Sequence, residues 1–132
     1  MRILLIEDDL DDIELLQESL TSRKISFSME TLNDGAAAID YLRDSNSYPD
    51  IIVLDLNLPK VHGKEIMREI KSLAGFKNIP VLVLTTSSAA QDRQFASDHG
   101  ADGYFVKPTD SEQFNALVKT ILQLADRNPS LH

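Results

Sequence analysis

Glu7 and Asp8, Asp55, Thr85 and Lys107 have side chains suited to handling an anion, and each position closes a short apolar run. The runs are Ile3 to Ile6, Ile51 to Leu54, Val81 to Leu84 and Tyr104 to Val106. Runs of this length fit strands buried on both faces. In a parallel sheet all strand C-termini face one rim, where open α/β sheets bind their ligands. Three carboxylates, a hydroxyl and an ammonium therefore converge from four strands. Carboxylates packed this close repel one another unless a cation joins them. Lys107 supplies one positive charge. A hard divalent ion is the natural second, because every ligand offered is oxygen, and magnesium fits best: it takes one or two carboxylates and shares oxygen with a phosphoryl group. A metal-bound, lysine-paired Asp55 stays ionised and can attack phosphorus. The resulting aspartyl phosphate needs Lys107 and Thr85 to donate to its other oxygens.

The elements that position these groups alternate along the chain. After the first strand comes a helix over Leu10 to Ser22, with Ile13, Leu16 and Leu20 on one stripe. A second strand spans about Ser26 to Leu32, and Asn33-Asp34-Gly35 is a turn and cap signal. The second helix turns Ala38, Ile39 and Leu42 inward. Pro59 stops the Asp55 strand. The third helix, after Gly63, buries Ile66, Met67, Ile70 and Leu73. Ser88 and Gln91 form a capping box for a fourth helix whose apolar stripe is weak: Ala89, Phe95 and Ala96. The fifth helix starts at Thr109 or Asp110, capped by Thr109 with Glu112 or by Asp110 with Gln113. It carries the best stripe: Phe114, Leu117, Val118, Ile121 and Ala125. Strict strand–helix alternation implies right-handed crossovers and a parallel sheet covered on both faces.

Length and composition bound the function classes. At 132 residues with no repeat or Gly/Ser linker, the expectation is one domain over residues 1–126 and a tail over 127–132. A chain of this size buries roughly two-thirds of its unfolded surface and needs no staples. The absence of cysteine excludes disulfides, thiolate metal sites and thiol catalysis, and fits a cytoplasmic location. The apolar N-terminus is too short for a signal peptide and runs straight into acids. No stretch is long enough to span a membrane. A net charge of −8 argues against nonspecific binding to nucleic acid or to an anionic membrane. A solvated helix start accounts for Asp11, Asp12 and Glu14 in the acidic run that begins at Glu7. His62, His99 and His132 have no ligand spacing and receive no chemistry.

The ordered set Leu5-Ile-Glu-Asp-Asp9, Asp34-Gly35, Asp55-Leu-Asn-Leu-Pro59 with Gly63, Pro80 to Thr85 and Gly103-Tyr-Phe-Val-Lys-Pro108 resembles the receiver domain of bacterial two-component response regulators, single-domain chemotaxis type. The resemblance runs from Ile3 to about Ala125. It implies the doubly wound, flavodoxin-like strand order 2-1-3-4-5, with five helices on both faces of a parallel sheet. It implies Asp55 as phosphoacceptor, and Glu7, Asp8, Asp55 and Asn57 as the magnesium site. There Asp8 binds directly, Glu7 through water and Asn57 by its backbone carbonyl. It makes Thr85 and Lys107 the phosphoryl-binding pair, Thr85 and Tyr104 the switch, and Lys107–Pro108 a cis peptide. The implied partners are a sensor histidine kinase or phosphotransfer protein and a downstream protein target. The face of helix four, strand five and helix five is where a partner or a second copy binds. The protein is then a signalling domain, an enzyme only toward its own phosphoryl group. Two positions depart from the family pattern. His62, a poor N-cap, stands where an Asp is usual, and Thr86 is bulkier than the common Ala.

Three rivals remain. A haloacid-dehalogenase-type phosphatase needs a general acid two residues after the nucleophile, and that place is Asn57. A flavin carrier needs a phosphate loop after strand one, where Glu7-Asp8-Asp9 repels phosphate. A degenerate receiver that binds partners without being phosphorylated is the third, and the filled site positions argue against it.

Overall fold

The computed structural model describes residues 1–44, 46–58 and 61–126. Pro59, expected to stop a strand, and the tail with His132 lie outside the described residues. Strands and helices alternate as β1 (Arg2–Ile6), α1 (Leu10–Ser22), β2 (Ser28–Leu32), α2 (Gly35–Asp44), β3 (Ile51–Leu54), α3 (Gly63–Ser72), β4 (Val81–Thr85), α4 (Ala90–Asp98), β5 (Gly103–Val106) and α5 (Ser111–Asp126). The sheet is parallel throughout, in the order β2-β1-β3-β4-β5. The expected five-stranded, doubly wound architecture is therefore the observed one.

Strand alternation divides the core in two, because residues i and i+2 share a face. Leu4, Ile6, Ile52, Leu54, Val81 and Val83 pack with Ala38 and Leu42 of α2 and Ile66, Met67 and Ile70 of α3. Ile3, Leu5, Ile51, Val53, Leu82 and Leu84 pack with Ile13, Leu16 and Leu20 of α1 and Leu117, Val118 and Ile121 of α5. The central strands β3 and β4 are buried at every residue, while the edge strands β2 and β5 are only half-buried. Only Ala96 of α4 is buried, with Phe95 partly buried against the same cluster, so this helix is the most lightly packed of the five.

Several ends differ from the sequence expectation. The second strand starts at Ser28, because α1 closes through a left-handed residue, Lys24 at φ 59°. There Lys24 N–H donates to Thr21 O (3.0 Å) and Ile25 N–H to Leu20 O (3.1 Å), the paired bonds of a Schellman closure. The α4 cap is not Ser88 with Gln91. The helix begins at Ala90 with Ala89 at the N-cap, which places Ser88 outside it. Ser87 serves instead: its Oγ accepts from Ala89 N–H (3.2 Å) and donates to Asp92 Oδ2 (2.6 Å). At α5, Asp110 Oδ1 accepts from Gln113 N–H (2.8 Å), and Gln113 Oε1 returns to Thr109 N–H (2.8 Å). His62 does cap α3, because imidazole Nδ1 carries a lone pair that accepts from Lys64 N–H (3.1 Å).

Among the described residues no peptide bond is cis, so Lys107–Pro108 is trans, contrary to expectation. Trans is the intrinsically preferred form of an X–Pro bond. Here Lys107 N–H still pairs with Thr85 O (2.8 Å) and its ammonium still reaches Asp55 (3.1 Å).

The loop between β3 and α3 turns back on itself at Gly63, whose N–H donates to Leu56 O (3.1 Å). A Cβ at Gly63 stands 2.5 Å from Leu56 Cα and 2.8 Å from Asp55 O, so only glycine fits against this backbone. Gly63→Ala is predicted to cost about 1–3 kcal/mol by overpacking. Urea unfolding measures it, and a loss below a few tenths of a kcal/mol contradicts the close approach.

Candidate functional site

The sheet's hydrogen-bond ladder continues one residue past the strand ends. Glu7 N–H donates to Leu32 O (2.9 Å), Asp55 N–H to Ile6 O (3.0 Å) and Lys107 N–H to Thr85 O (2.8 Å). Each functional backbone is thus fixed by its neighbouring strand before its side chain makes any contact. Burial follows: Glu7, Asp55 and Thr85 are all buried, and Asp8 and Asn57 are exposed at the mouth.

Lys107 Nζ is the centre of the rim. It lies 2.7 Å from Glu7 Oε1, 2.7 Å from Asp12 Oδ2 and 3.1 Å from Asp55 Oδ2. The remaining Asp55 oxygen, Oδ1, accepts from Asn57 N–H (3.0 Å). Glu7 Oε2 accepts from the N–H groups of Asp8 (3.1 Å) and Asp9 (3.3 Å). Burial pushes the Glu7 carboxyl up to about 7, and the nearby Asp55 adds to this while Lys107 opposes it. Burial alone would lower the Lys107 ammonium, but the hydrogen bonds it donates to Asp12, Glu7 and Asp55 outweigh it and hold the group above its ordinary value. Among the described residues no buried side-chain polar atom lacks a partner.

Glu7, Asp8 and Asp55 offer carboxylate oxygens that all lie within 4.8 Å of one another. Three hard oxygen donors, two of them buried beside a sheet edge, fit a hard divalent cation.

A hydrogen-bond chain leads away from Asp55. Thr85 Oγ1 accepts from Asn57 Nδ2 (3.3 Å) and lies 3.4 Å from Ser87 N. Ser87 O accepts from Tyr104 Oη (2.8 Å), and Ser87 Oγ reaches Asp92, which pairs with Lys64 (3.3 Å). Burial raises the Tyr104 phenol above its ordinary value, and the Arg93 guanidinium sits 4.6 Å from the ring centroid. The hydrogen bond from Ser87 holds Asp92 below the usual carboxylate range.

The structure brings Glu7, Asp8, Asp55, Asn57, Thr85 and Lys107 to one place, with Tyr104 joined to it through Ser87. Sequence reasoning missed Asp12 and Ser87. Asp12 was absorbed into a solvated helix start, yet it stands on the first turn of the helix that leaves the β1 rim. Ser87 stands two residues past a strand end and just before a helix, the place of a capping hydroxyl.

The profile of the response regulator receiver domain family matches residues 3–119. Response regulator Rcp1 of a Synechocystis species is 37% identical over 124 residues, 90% of this chain and 84% of that protein. The structure of manganese-bound Rcp1 superposes with a TM-score of 0.80 at 36% identity, over 91% of this chain and 90% of that one. FilR2 of Methanothrix harundinacea, described as a probable methanogenesis regulatory protein, is 37% identical over 123 residues, 90% of this chain and 79% of that protein. The phosphorylated cyanobacterial phytochrome response regulator RcpA superposes with a TM-score of 0.84 at 38% identity, over 96% of this chain and 94% of that one.

Removing the central cation leaves Glu7 and Asp55 buried without it. Lys107→Met is predicted to lose about 3 kcal/mol or more at pH 7 in urea unfolding. Adding Glu7→Gln recovers part of that loss, because one of the stranded carboxylates is gone. Strictly additive losses contradict the shared ion pair.

Proposed function

This chain belongs to the response regulator receiver domain family, and on that premise we propose that it is a stand-alone receiver whose phosphoacceptor is Asp55. The observation that carries the reading is the buried Asp55 carboxylate on Lys107, 3.1 Å away, beside the fully buried Thr85 and the Glu7–Asp8 pair. The phosphoryl donor is the phosphohistidine of a sensor histidine kinase or phosphotransfer protein. An Asp55 oxygen forms the new bond to phosphorus as the phosphorus–nitrogen bond of the donor breaks and the histidine is released.

Lys107 pairs with the Asp55 carboxylate at 3.1 Å and donates to the phosphoryl group once it has arrived. The Thr85 hydroxyl donates to a second phosphoryl oxygen. Glu7, Asp8, Asp55 and the Asn57 carbonyl would hold magnesium. Magnesium neutralises charge on the transferring phosphoryl group when bound. That the similar protein Rcp1 has a manganese-bound form supports a divalent ion as the cofactor. Asn57 carries no acid function, so it cannot protonate a leaving group as a phosphatase requires.

The likeness to the response regulator Rcp1, matched over 84% of that protein's length, supports a signalling role for the chain. Its output then passes through another protein in the cytoplasm, and the phosphoryl group is a signal rather than a metabolite turned over. When Thr85 turns toward the phosphoryl group it releases Asn57 and draws on Ser87, and Ser87 carries that change to Tyr104. Among the described residues no helix is long and apolar enough to cross a membrane, which fits this reading.

Intact mass after incubation with a small phosphodonor and magnesium is expected to rise by one phosphoryl group. The rise is absent in Asp55→Asn and without metal. No addition with any donor favours the binding module that acts unphosphorylated. The face of α4, β5 and α5 is the proposed site for a partner or a second copy. Size-exclusion chromatography with beryllium trifluoride and magnesium is expected to show a dimer, and an unchanged size contradicts it.

A further inference from the structure

An ammonium has three N–H donors. In Lys107 they are matched by three carboxylates: Glu7 and Asp12 at 2.7 Å, Asp55 at 3.1 Å. A phosphoryl group on Asp55 takes over the Asp55 contact, and a second bond from Lys107 to it must replace Glu7 or Asp12. The two differ in what replacement costs. The Glu7 side chain is 2% exposed, so it finds too little water to replace the lysine. The Asp12 side chain is 30% exposed and can be hydrated where it stands.

Asp12 is also not occupied elsewhere in its helix. Asp9 does the capping, its Oδ1 accepting from the N–H groups of Asp11 (2.9 Å) and Asp12 (3.3 Å). The Asp12 carboxylate is thereby left to cross from α1 to the end of β5. Nor can Lys107 follow it by moving its backbone, which is tied to Thr85 O at 2.8 Å. Only the side chain chooses between acceptors.

We propose that Asp12 is a positioning residue that competes with the phosphoryl group for Lys107: it holds the ammonium while Asp55 is unmodified and loses it when Asp55 is phosphorylated. Asp12 therefore opposes the phosphorylated state, both through the bond surrendered and through its negative charge close to a phosphoryl dianion. This role rests on the reading of Asp55 as phosphoacceptor.

Binding of beryllium trifluoride at fixed magnesium, followed by ¹⁹F NMR, tests it. Asp12→Asn is expected to bind about threefold to tenfold more tightly than the parent, a range set by one partly exposed ion pair. Asp12→Glu, which restores the competing charge, returns toward the parent affinity. The difference between parent and Asp12→Asn shrinks as salt is raised. Should Asp12→Asn not fold, Asp12→Ser gives the same readout and keeps a good first-turn residue. Equal or weaker binding by the neutral variant overturns the proposal, even if its unfolding midpoint falls, because a purely structural acid moves stability alone. A parent that binds no more than Asp55→Asn overturns the acceptor reading itself, and the role of Asp12 with it.

Discussion

Glu7 and Asp55 are carboxylates held out of water at the end of a sheet, and the Lys107 ammonium makes that tolerable. Desolvation works against every charge in the group. Hydrogen bonds of 2.7–3.1 Å between the lysine and three carboxylates work for it, and they win: the lysine is held charged although burial opposes it. The excess of carboxylate over ammonium is not fully answered, which is why Glu7 is pushed up to about 7. A rim poised in this way favours an additional cation.

The fold's part is to make these side chains meet without strain. Four strands each deliver one end to the rim, and ladder hydrogen bonds carry on through Glu7, Asp55 and Lys107. The side chains are thus mounted on the most rigid part of the molecule, above central strands buried at every residue. The outward path is built differently. Thr85, Ser87, Tyr104 and Asp92 are linked by single hydrogen bonds next to α4, which buries only Ala96. With a firmly fixed rim beside a lightly packed helix, the cost of any movement falls on the element with least packing.

Apolar runs announced the strands because strands buried on both faces need them, so β1, β3 and β4 and their polar end residues were legible in the sequence. So were the stripes of α1 and α5, and the Asp34 cap, whose Oδ1 accepts from Ala37 N–H at 2.8 Å. What stayed hidden depended on direction rather than on residue type. Periodicity puts Asp12 on the solvated side of α1, but it does not say that this side looks across at a lysine 95 residues away. A one-residue shift in the start of α4 put Ala89 at its N-cap in place of Ser88, and Ser87 Oγ accepts from the Ala89 N–H. Propensity counts His62 a poor cap, yet in its place the ring nitrogen has the lone pair the helix end requires. The trans Lys107–Pro108 bond was missed because the cis form came from resemblance alone, and no residue in the chain demanded it.

Which atom carries the phosphoryl group decides the chemistry of the rim. An acyl phosphate is reduced by borohydride, whereas a free carboxylate is not, so reduction marks the acceptor permanently as homoserine. Protein treated with a phosphodonor and magnesium, reduced, digested and sequenced by tandem mass spectrometry is expected to carry homoserine at position 55. Homoserine at Asp8 or Asp12 instead, or at no position in protein that has gained a phosphoryl group, would contradict Asp55 as the acceptor.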